Sequence, residues 1–116
     1  MQDENCIFCK IVAGELPSDM VFQDELISVF RDINPAAPTH LLIVPNEHIS
    51  SNNELGPGRE EIAARLLTVV PELAEKEGIQ QSGYRLMMNT GSDGRQEVQH
   101  LHLHLMGGKR MRFPVG

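Results

Sequence analysis

The chain of 116 residues has single-domain length, and 41% hydrophobic with 22% charged residues is enough to build one core. The chain has 10 Lys and Arg and 16 Asp and Glu, which gives a net charge of -6. This charge argues against a general nucleic-acid-binding surface, which needs a basic face. No apolar run approaches the roughly 20 residues of a membrane-spanning helix, and no basic segment precedes an apolar stretch at the N-terminus. We therefore expect a soluble, unprocessed, cytoplasmic protein that partners neither membranes nor nucleic acids.

The hydrophobic pattern predicts a single domain, residues 1–116, with two helices and five strands. Apolar residues at 7, 8, 11 and 12, followed by Gly14, predict a short helix. An apolar stripe at helical spacing over residues 58–78 predicts a long helix. Pro71 predicts a kink or break in it near residues 67–70. The predicted strands are Met20–Gln23, Leu26–Arg31, His40–Pro45, Tyr84–Asn89 and Val98–Met106.

The connections between these elements favour an α+β fold. Asp24 and Glu25 are the simplest hairpin connection, and the two prolines within residues 32–38 indicate a loop. The apolar run at residues 41–44 is typical of a central strand that is buried on both faces. Strands in mostly sequential order predict a sheet with the helices on one face.

Histidine and leucine alternate over residues 100–105. On a strand this alternation would place His100, His102 and His104 on one face and three leucines on the other, against the helix stripe. A merely solvated face would more usually carry Thr, Lys or Glu. Two chemistries remain: metal binding by alternate imidazoles, or attack of one imidazole on phosphorus while its neighbours neutralise the phosphoryl oxygens. The spacing alone leaves both open.

The complete segment His100-Leu101-His102-Leu103-His104-Leu105-Met106 resembles the His-φ-His-φ-His-φ-φ signature of the histidine triad (HIT) family, where φ is hydrophobic. Gly107-Gly108 and residues 111–116 resemble the Hint branch rather than the Fhit-like branch. Residues 7–11, 32–35, 38–45 and 89–94 also follow the family's order and spacing. The resemblance implies a HIT-like α+β fold: a five-stranded, mostly antiparallel sheet with one long and one short helix, joined to a second copy's sheet in a homodimer.

The resemblance also implies an activity. Hint-like proteins hydrolyse purine nucleoside phosphoramidates, and more slowly acyl-nucleotides, through a nucleotidyl-histidine intermediate with no metal in the chemical step. By resemblance His102 is the nucleophile, and His104 binds a phosphoryl oxygen. His100 and His40 support the nucleophile, and Asn89 contacts the phosphate or the leaving group. Alternatives are a dinucleoside polyphosphate hydrolase and a nucleotide-binding regulatory module. The leaving group, the choice between adenosine and guanosine and any macromolecular partner stay open.

The nucleotide-binding residues are likewise implied by the resemblance. Asp32 matches a ribose ligand, although it could equally cap the loop before Pro35. The apolar residues match a slot around the base, although each alone could be core packing. The full set is Phe8, Ile11, Phe30, Asp32, Ile33, Leu42, Asn89, Glu97, His102 and His104.

Four positions depart from the family pattern and put the substrate range in doubt. Arg95 stands where a second glycine is common, and Gln99 replaces a more usual aromatic residue. Glu97 stands where some relatives carry a phosphate-contacting serine. It would repel a phosphate unless it faces the leaving amine or pairs with Arg95. Phe113 takes the place of a tryptophan.

Cys6 and Cys9 form a C-x-x-C pair, which allows a redox pair, two buried thiols or half of a zinc site. The pair lacks the βαβ setting of a thioredoxin motif. Some HIT proteins bind structural zinc through such a pair and two histidines, which correspond to His48 and His100. The resemblance therefore implies a structural Zn²⁺ at these four residues, which would fix the His100 ring. His100 thus carries two assignments, as triad member and as metal ligand.

Overall fold

A computed structural model describes residues 3–112; residues 1–2 and 113–116, including Phe113, lie outside the described part. The α+β class and the five-stranded sheet with one short helix and one long helical stretch are confirmed. The elements in chain order are α1 (Ile7–Val12), β1 (Met20–Gln23), β2 (Ile27–Arg31), β3 (Thr39–Pro45), a 3₁₀ turn (Asn52–Glu54), α2 (Glu60–Thr68), α3 (Val70–Lys76), β4 (Tyr84–Met87) and β5 (Leu103–Gly107).

The strands form one sheet in the order β1-β2-β3-β5-β4, and every neighbouring pair is antiparallel. β3 is the central strand, and all seven of its residues are buried, as its continuous apolar run predicted. Within residues 3–112, none of the helices has the length and apolarity that a membrane crossing requires.

The two faces of the sheet carry different cores. Leu41 and Ile43 of β3 pack in the larger cluster, with Leu66 of α2 and Leu73 of α3. Leu42 and Val44 point the other way, into a smaller cluster that contains Phe8 and Cys9 of α1. The expectation that all helices lie on one face is therefore wrong, because alternate residues of β3 are apolar on both faces and each face needs a cover.

The long helical stretch is interrupted at Val69, between α2 and α3. Pro71 lies in the first turn of α3, where its missing N–H costs no intrahelical hydrogen bond. The break predicted near residues 67–70 is confirmed. Both halves continue the same apolar stripe, since Leu66, Val70 and Leu73 are all buried in the larger cluster.

The last strand is shorter than predicted, because β5 begins only at Leu103. Continued pairing with β3 would place Leu101 opposite Pro45, which has no N–H to donate. The Leu101 N–H instead donates to the Ile49 carbonyl at 2.7 Å. Residues 98–102 therefore form an irregular segment beside the sheet, and of the three histidines only His104 lies on the strand. β4 likewise ends at Met87, before the predicted Asn89.

The turn between β1 and β2 is fixed by one carboxylate. Asp24 Oδ1 accepts the backbone N–H groups of Leu26 and Ile27 at 2.8 and 2.9 Å, and Oδ2 accepts Arg65 Nε of α2 at 2.8 Å. Burial alone would raise the pKa of Asp24, but these hydrogen bonds and the guanidinium charge outweigh it and hold the pKa below its ordinary value.

We expect Asp24→Ala to lower the free energy of unfolding by about 1–3 kcal/mol, because it leaves the turn N–H groups and Arg65 without their acceptor. Urea denaturation measures the loss, and Glu25→Ala, at the exposed neighbour in the same turn, should change it little. Since the folded pKa of Asp24 is depressed, the difference from wild type should be full above the ordinary pKa of 3.8 and fade as the pH falls through the folded value. A difference that does not depend on pH would contradict the role of the charge.

Candidate active site and metal centre

A cavity of about 250 Å³ opens on the α1 face of the sheet. Its walls combine apolar side chains of α1, β2 and β3 with polar groups from the loop after β2 and from the histidine segment. The lining residues include Phe8, Ile11, Phe30, Arg31, Asp32, Ile33, Asn34, Leu42, Glu97, Val98, His102 and His104. Nine of the ten residues assigned to nucleotide binding by resemblance thus lie around one space, together with Ile7, Pro17 and Ser18, which the sequence analysis did not assign to the site.

His102 is held in one tautomer by the backbone. Its Nδ1 lies 2.7 Å from the His100 carbonyl oxygen, which can only accept a hydrogen bond, so Nδ1 carries the proton. In the neutral ring, Nε2 then has a free lone pair. The ring is 7% exposed and packs edge-to-face on Phe8, with ring centroids 5.2 Å apart. His102 therefore offers an unprotonated nitrogen on a ring that packing and a hydrogen bond keep in place.

His104 is held in the opposite tautomer by a relay of hydrogen bonds. The Ala36 N–H donates to His40 Nδ1 at 3.0 Å, so a proton on His40 lies at Nε2. His40 Nε2 is 2.9 Å from His104 Nδ1 and donates to it. The remaining ring nitrogen of His104, Nε2, must then carry the proton of the neutral ring.

Burial keeps both rings of this relay neutral at physiological pH. It is the main cause of the lowered pKa of His104, to about 4, and the neighbouring His102 and His40 add to it. Burial also lowers the pKa of His40, partly offset by the Asp32 carboxylate 3.5 Å from its Nε2. The cavity thus presents a lone pair on His102 beside an N–H on His104, with the ring centroids 5.0 Å apart. Such a pair can attack an electrophilic atom and stabilise negative charge on an oxygen bound to that atom.

Cys6, Cys9, His48 and His100 form a compact group that could hold a metal ion. One donor atom from each lies within 4.8 Å of all the others. Cys6 Sγ is 3.2 Å and Cys9 Sγ 3.5 Å from His100 Nδ1, and Cys9 Sγ is 3.4 Å from His48 Nδ1. Two thiols and two imidazoles are a donor set suited to tetrahedral metal binding.

The His100 ring is oriented for this group. Its Nε2 donates to the Pro45 carbonyl at 2.9 Å, so its Nδ1 has the lone pair and faces the thiols. Burial, the largest cause, lowers the pKa of His100 to about 4, which favours the neutral ring that a metal requires. The two assignments of His100 are compatible, because its ring faces the cysteines while its backbone carbonyl faces His102.

Asp32, His40 and His104 also lie within 4.8 Å of one another. A metal bound at His40 Nε2 would need the ring proton at Nδ1, yet Nδ1 accepts the Ala36 N–H. The ring would have to become an imidazolate, so this group acts as a hydrogen-bonded relay.

Some residues singled out by sequence lie away from the cavity wall. Asn89 Nδ2 donates to the Gly94 carbonyl at 2.7 Å, and Asn89 is not among the described lining residues. Arg95 has the left-handed φ of 62°, which explains why glycine suits this position. Among residues 3–112, no ion pair joins Arg95 to Glu97 within 4 Å.

Two backbone groups in the site could not be anticipated from the sequence. The Ala36 N–H and the Pro45 carbonyl orient His40 and His100 respectively. Any residue except proline supplies an N–H, and every residue supplies a carbonyl, so neither group leaves a trace in residue type.

The sequence model of the protein family described as the HIT domain matches residues 13–111 of this chain. The chain therefore belongs to the HIT family. It is 51% identical over 106 residues to the purine nucleoside phosphoramidase of Escherichia coli (strain K12), across 91% of this chain and 89% of that protein. It is 42% identical to the 14 kDa zinc-binding protein of Zea mays, across 100% of this chain and 91% of that protein. A HIT family hydrolase from Legionella pneumophila Philadelphia 1 has a TM-score of 0.94 and 50% identity, covering 97% of this chain and 100% of that one. The predicted family and the hydrolase class are confirmed.

Proposed function

We propose that the chain hydrolyses purine nucleoside phosphoramidates to the nucleoside monophosphate and a free amine, through a covalent nucleotide on His102. The observation that carries this proposal is the pairing of opposite tautomers, His102 with a free Nε2 and His104 with a protonated Nε2, on one cavity. The likeness to a purine nucleoside phosphoramidase over most of both chains supports the substrate class.

In the first step His102 Nε2 attacks phosphorus, and the electron pair of the P–N bond leaves with the nitrogen. The departing amine takes up a proton from solvent, since an unprotonated amide is a poor leaving group. The nucleotidyl ring keeps its proton on Nδ1 and becomes cationic, and the His100 carbonyl at 2.7 Å stabilises that charge. The His104 N–H donates to a phosphoryl oxygen.

In the second step water attacks phosphorus and the P–Nε2 bond breaks. The electron pair returns to His102, and the proton lost by the water balances the one taken up by the amine. The same arrangement would open related acyl-nucleotides, with a carboxylate as the leaving group. Because this route needs a neutral His102 at the start of each cycle, the Nδ1 hydrogen bond matters in both steps.

The remaining lining residues suit the nucleoside. Phe8, Phe30 and Leu42 offer an apolar slot for a purine ring, and Ile11 and Ile33 lie on the same wall. Asp32 Oδ1 accepts the Asn34 N–H at 2.9 Å, and the half-buried carboxylate can also accept ribose hydroxyls. The Asn89 amide nitrogen already donates to the Gly94 carbonyl. Its Oδ1 would therefore make the expected contact to the leaving group or to the phosphate.

We also propose that the cysteine–histidine group binds a structural Zn²⁺. A Cys₂His₂ set fills all four tetrahedral positions, so such a zinc holds no open position for substrate. The name of the maize relative supports zinc as the metal. The ion would join α1 to the segment that carries His100, and so brace the carbonyl on which the His102 tautomer depends.

A homodimer joined through the sheet is the assembly we propose. β4 is the last strand in the sheet order, so among residues 3–112 one edge of its backbone has no paired strand and could pair with a second copy. Tyr84 and Leu86 on this strand are 38% and 39% exposed. Exposed apolar side chains beside an open edge are suited to burial against a second copy.

The activity is tested by steady-state turnover of an adenosine 5′-phosphoramidate. We expect His102→Ala to lower kcat by at least about a thousandfold, because it removes the nucleophile. Gln81→Ala, at an exposed position that does not line the cavity, is the control and should stay within about threefold of wild type. Wild type quenched in alkaline denaturant during turnover should carry the mass of one nucleotide on His102. If wild type turns over the phosphoramidate no faster than His102→Ala does, the protein is a nucleotide-binding module and not a hydrolase of this substrate. If wild type cleaves dinucleoside polyphosphates faster than the phosphoramidate, the result favours a dinucleoside polyphosphate hydrolase.

The zinc site is tested by elemental analysis of the purified protein. We expect about one Zn²⁺ per chain, and a loss of most of it in Cys9→Ser, because a hydroxyl replaces a thiolate ligand. Glu47→Gln, beside His48 but outside the donor set, should retain the metal. Metal-free protein in which both thiols react freely with a thiol reagent would refute the site.

A further inference from the structure

Glu97 lies where two cavities meet. It lines the nucleotide cavity together with His102 and His104, and it also lines a neighbouring cavity of about 380 Å³. Ile7 and Val98 are the other two residues common to both walls. A group that projects from the reacting phosphorus into the second cavity would therefore pass between Ile7, Glu97 and Val98, of which only Glu97 is charged.

The Glu97 carboxylate has no cation to neutralise it among residues 3–112. No hydrogen bond or ion pair within these residues engages its oxygens, and Arg95 does not reach it. Arg31 is the cation of the described cavity wall, but its guanidinium is already bound to Glu77 at 2.8 and 2.9 Å. The other carboxylate of the wall, Asp32, is engaged with Asn34. Glu97 thus stands as an open negative charge at the junction.

The second cavity continues this negative character. Asp3 lines it, and no lysine or arginine of residues 3–112 does. Asn5, Ser50 and Gln99 add neutral polar groups that can bind a polar chain. Cys6 and His48 of the candidate metal group also line it, and the Asp3 carboxylate accepts the Asn5 N–H at 2.9 Å and lies 3.9 Å from His48 Nε2. A group that enters this space therefore meets Glu97 as the carboxylate without a partner in residues 3–112, and no lysine or arginine of those residues.

We infer that Glu97 selects substrates by the further charge that the leaving group carries away from the reacting bond, favouring amines with a further cationic group and disfavouring leaving groups with a further anionic group. This inference rests on the proposed phosphoramidate hydrolysis and names its substrate class more closely. An unpaired carboxylate repels the phosphate itself, so Glu97 belongs on the side of the leaving group. The same repulsion disfavours leaving groups that carry phosphates or carboxylates, which includes nucleoside polyphosphates.

The test uses three adenosine 5′-phosphoramidates whose amines share one alkyl chain and end in an ammonium, a hydroxyl or a carboxylate. For wild type, kcat/KM should fall in that order. In Glu97→Gln the ratio between the ammonium and carboxylate substrates should drop by about three- to tenfold, the size expected for one partly solvated charge. Glu97→Lys should reverse the order. Raising the salt concentration should flatten the wild-type series and leave the Glu97→Gln series nearly unchanged.

Asp93→Asn is the matched control, because this exposed carboxylate lies on the preceding turn and lines neither cavity. It removes the same formal charge and should leave the ammonium-to-carboxylate ratio as in wild type. A ratio in Glu97→Gln equal to that of wild type would overturn the inference while the hydrolase stands. If wild type cleaves none of the three faster than His102→Ala does, the proposed function itself fails.

Discussion

The hydrogen bond from His102 Nδ1 to the His100 carbonyl is the contact on which the site depends. It requires residues 100–102 to leave the regular strand geometry, since the carbonyl must turn toward a side chain two residues ahead. Two hydrogen bonds hold the segment in that shape: the Leu101 N–H donates to the Ile49 carbonyl, and the His100 ring donates to the Pro45 carbonyl. Pro45 contributes in a second way. Because it has no N–H to donate, the hydrogen-bonded pairing of β3 with β5 ends before it, and the irregular segment begins there.

Burial or backbone hydrogen bonds set the state of four of the imidazoles. Low solvent exposure favours the neutral rings of His40, His100 and His104, since each has a lowered pKa. A carbonyl then selects one tautomer at His102, and an N–H selects the other at His104 through His40. The reactive difference between two chemically identical side chains is thus set by the backbone around them.

The candidate metal group and the proposed reaction site share one residue but use different parts of it. The His100 ring faces Cys6 and Cys9, while its carbonyl faces His102. α1 contributes to both places, since Cys9 belongs to the metal group and Phe8 packs on His102. The small core on this face of the sheet therefore packs against the residues of the proposed chemistry, whereas the larger core on the other face anchors α2 and α3.

The sequence predicted the elements whose causes are local. Pro71 marked the helix break, and the apolar run before Pro45 marked the central strand. The sequence did not predict where β5 begins, because that depends on Pro45, the residue opposite in β3. It also placed α1 on the wrong face of the sheet, because both faces of β3 are apolar and each needs a cover. The gathering of the cavity residues and of the metal group came from the family resemblance. The Ala36 N–H carried no signal in residue type.

Ring-nitrogen NMR of the ¹⁵N-labelled protein near neutral pH measures the His102 and His104 tautomers directly. We expect His102 to carry its proton on Nδ1 with an unprotonated Nε2, and His104 to carry its proton on Nε2. A His102 ring protonated on Nε2, or the same tautomer on both rings, would contradict the arrangement from which the proposed chemistry follows.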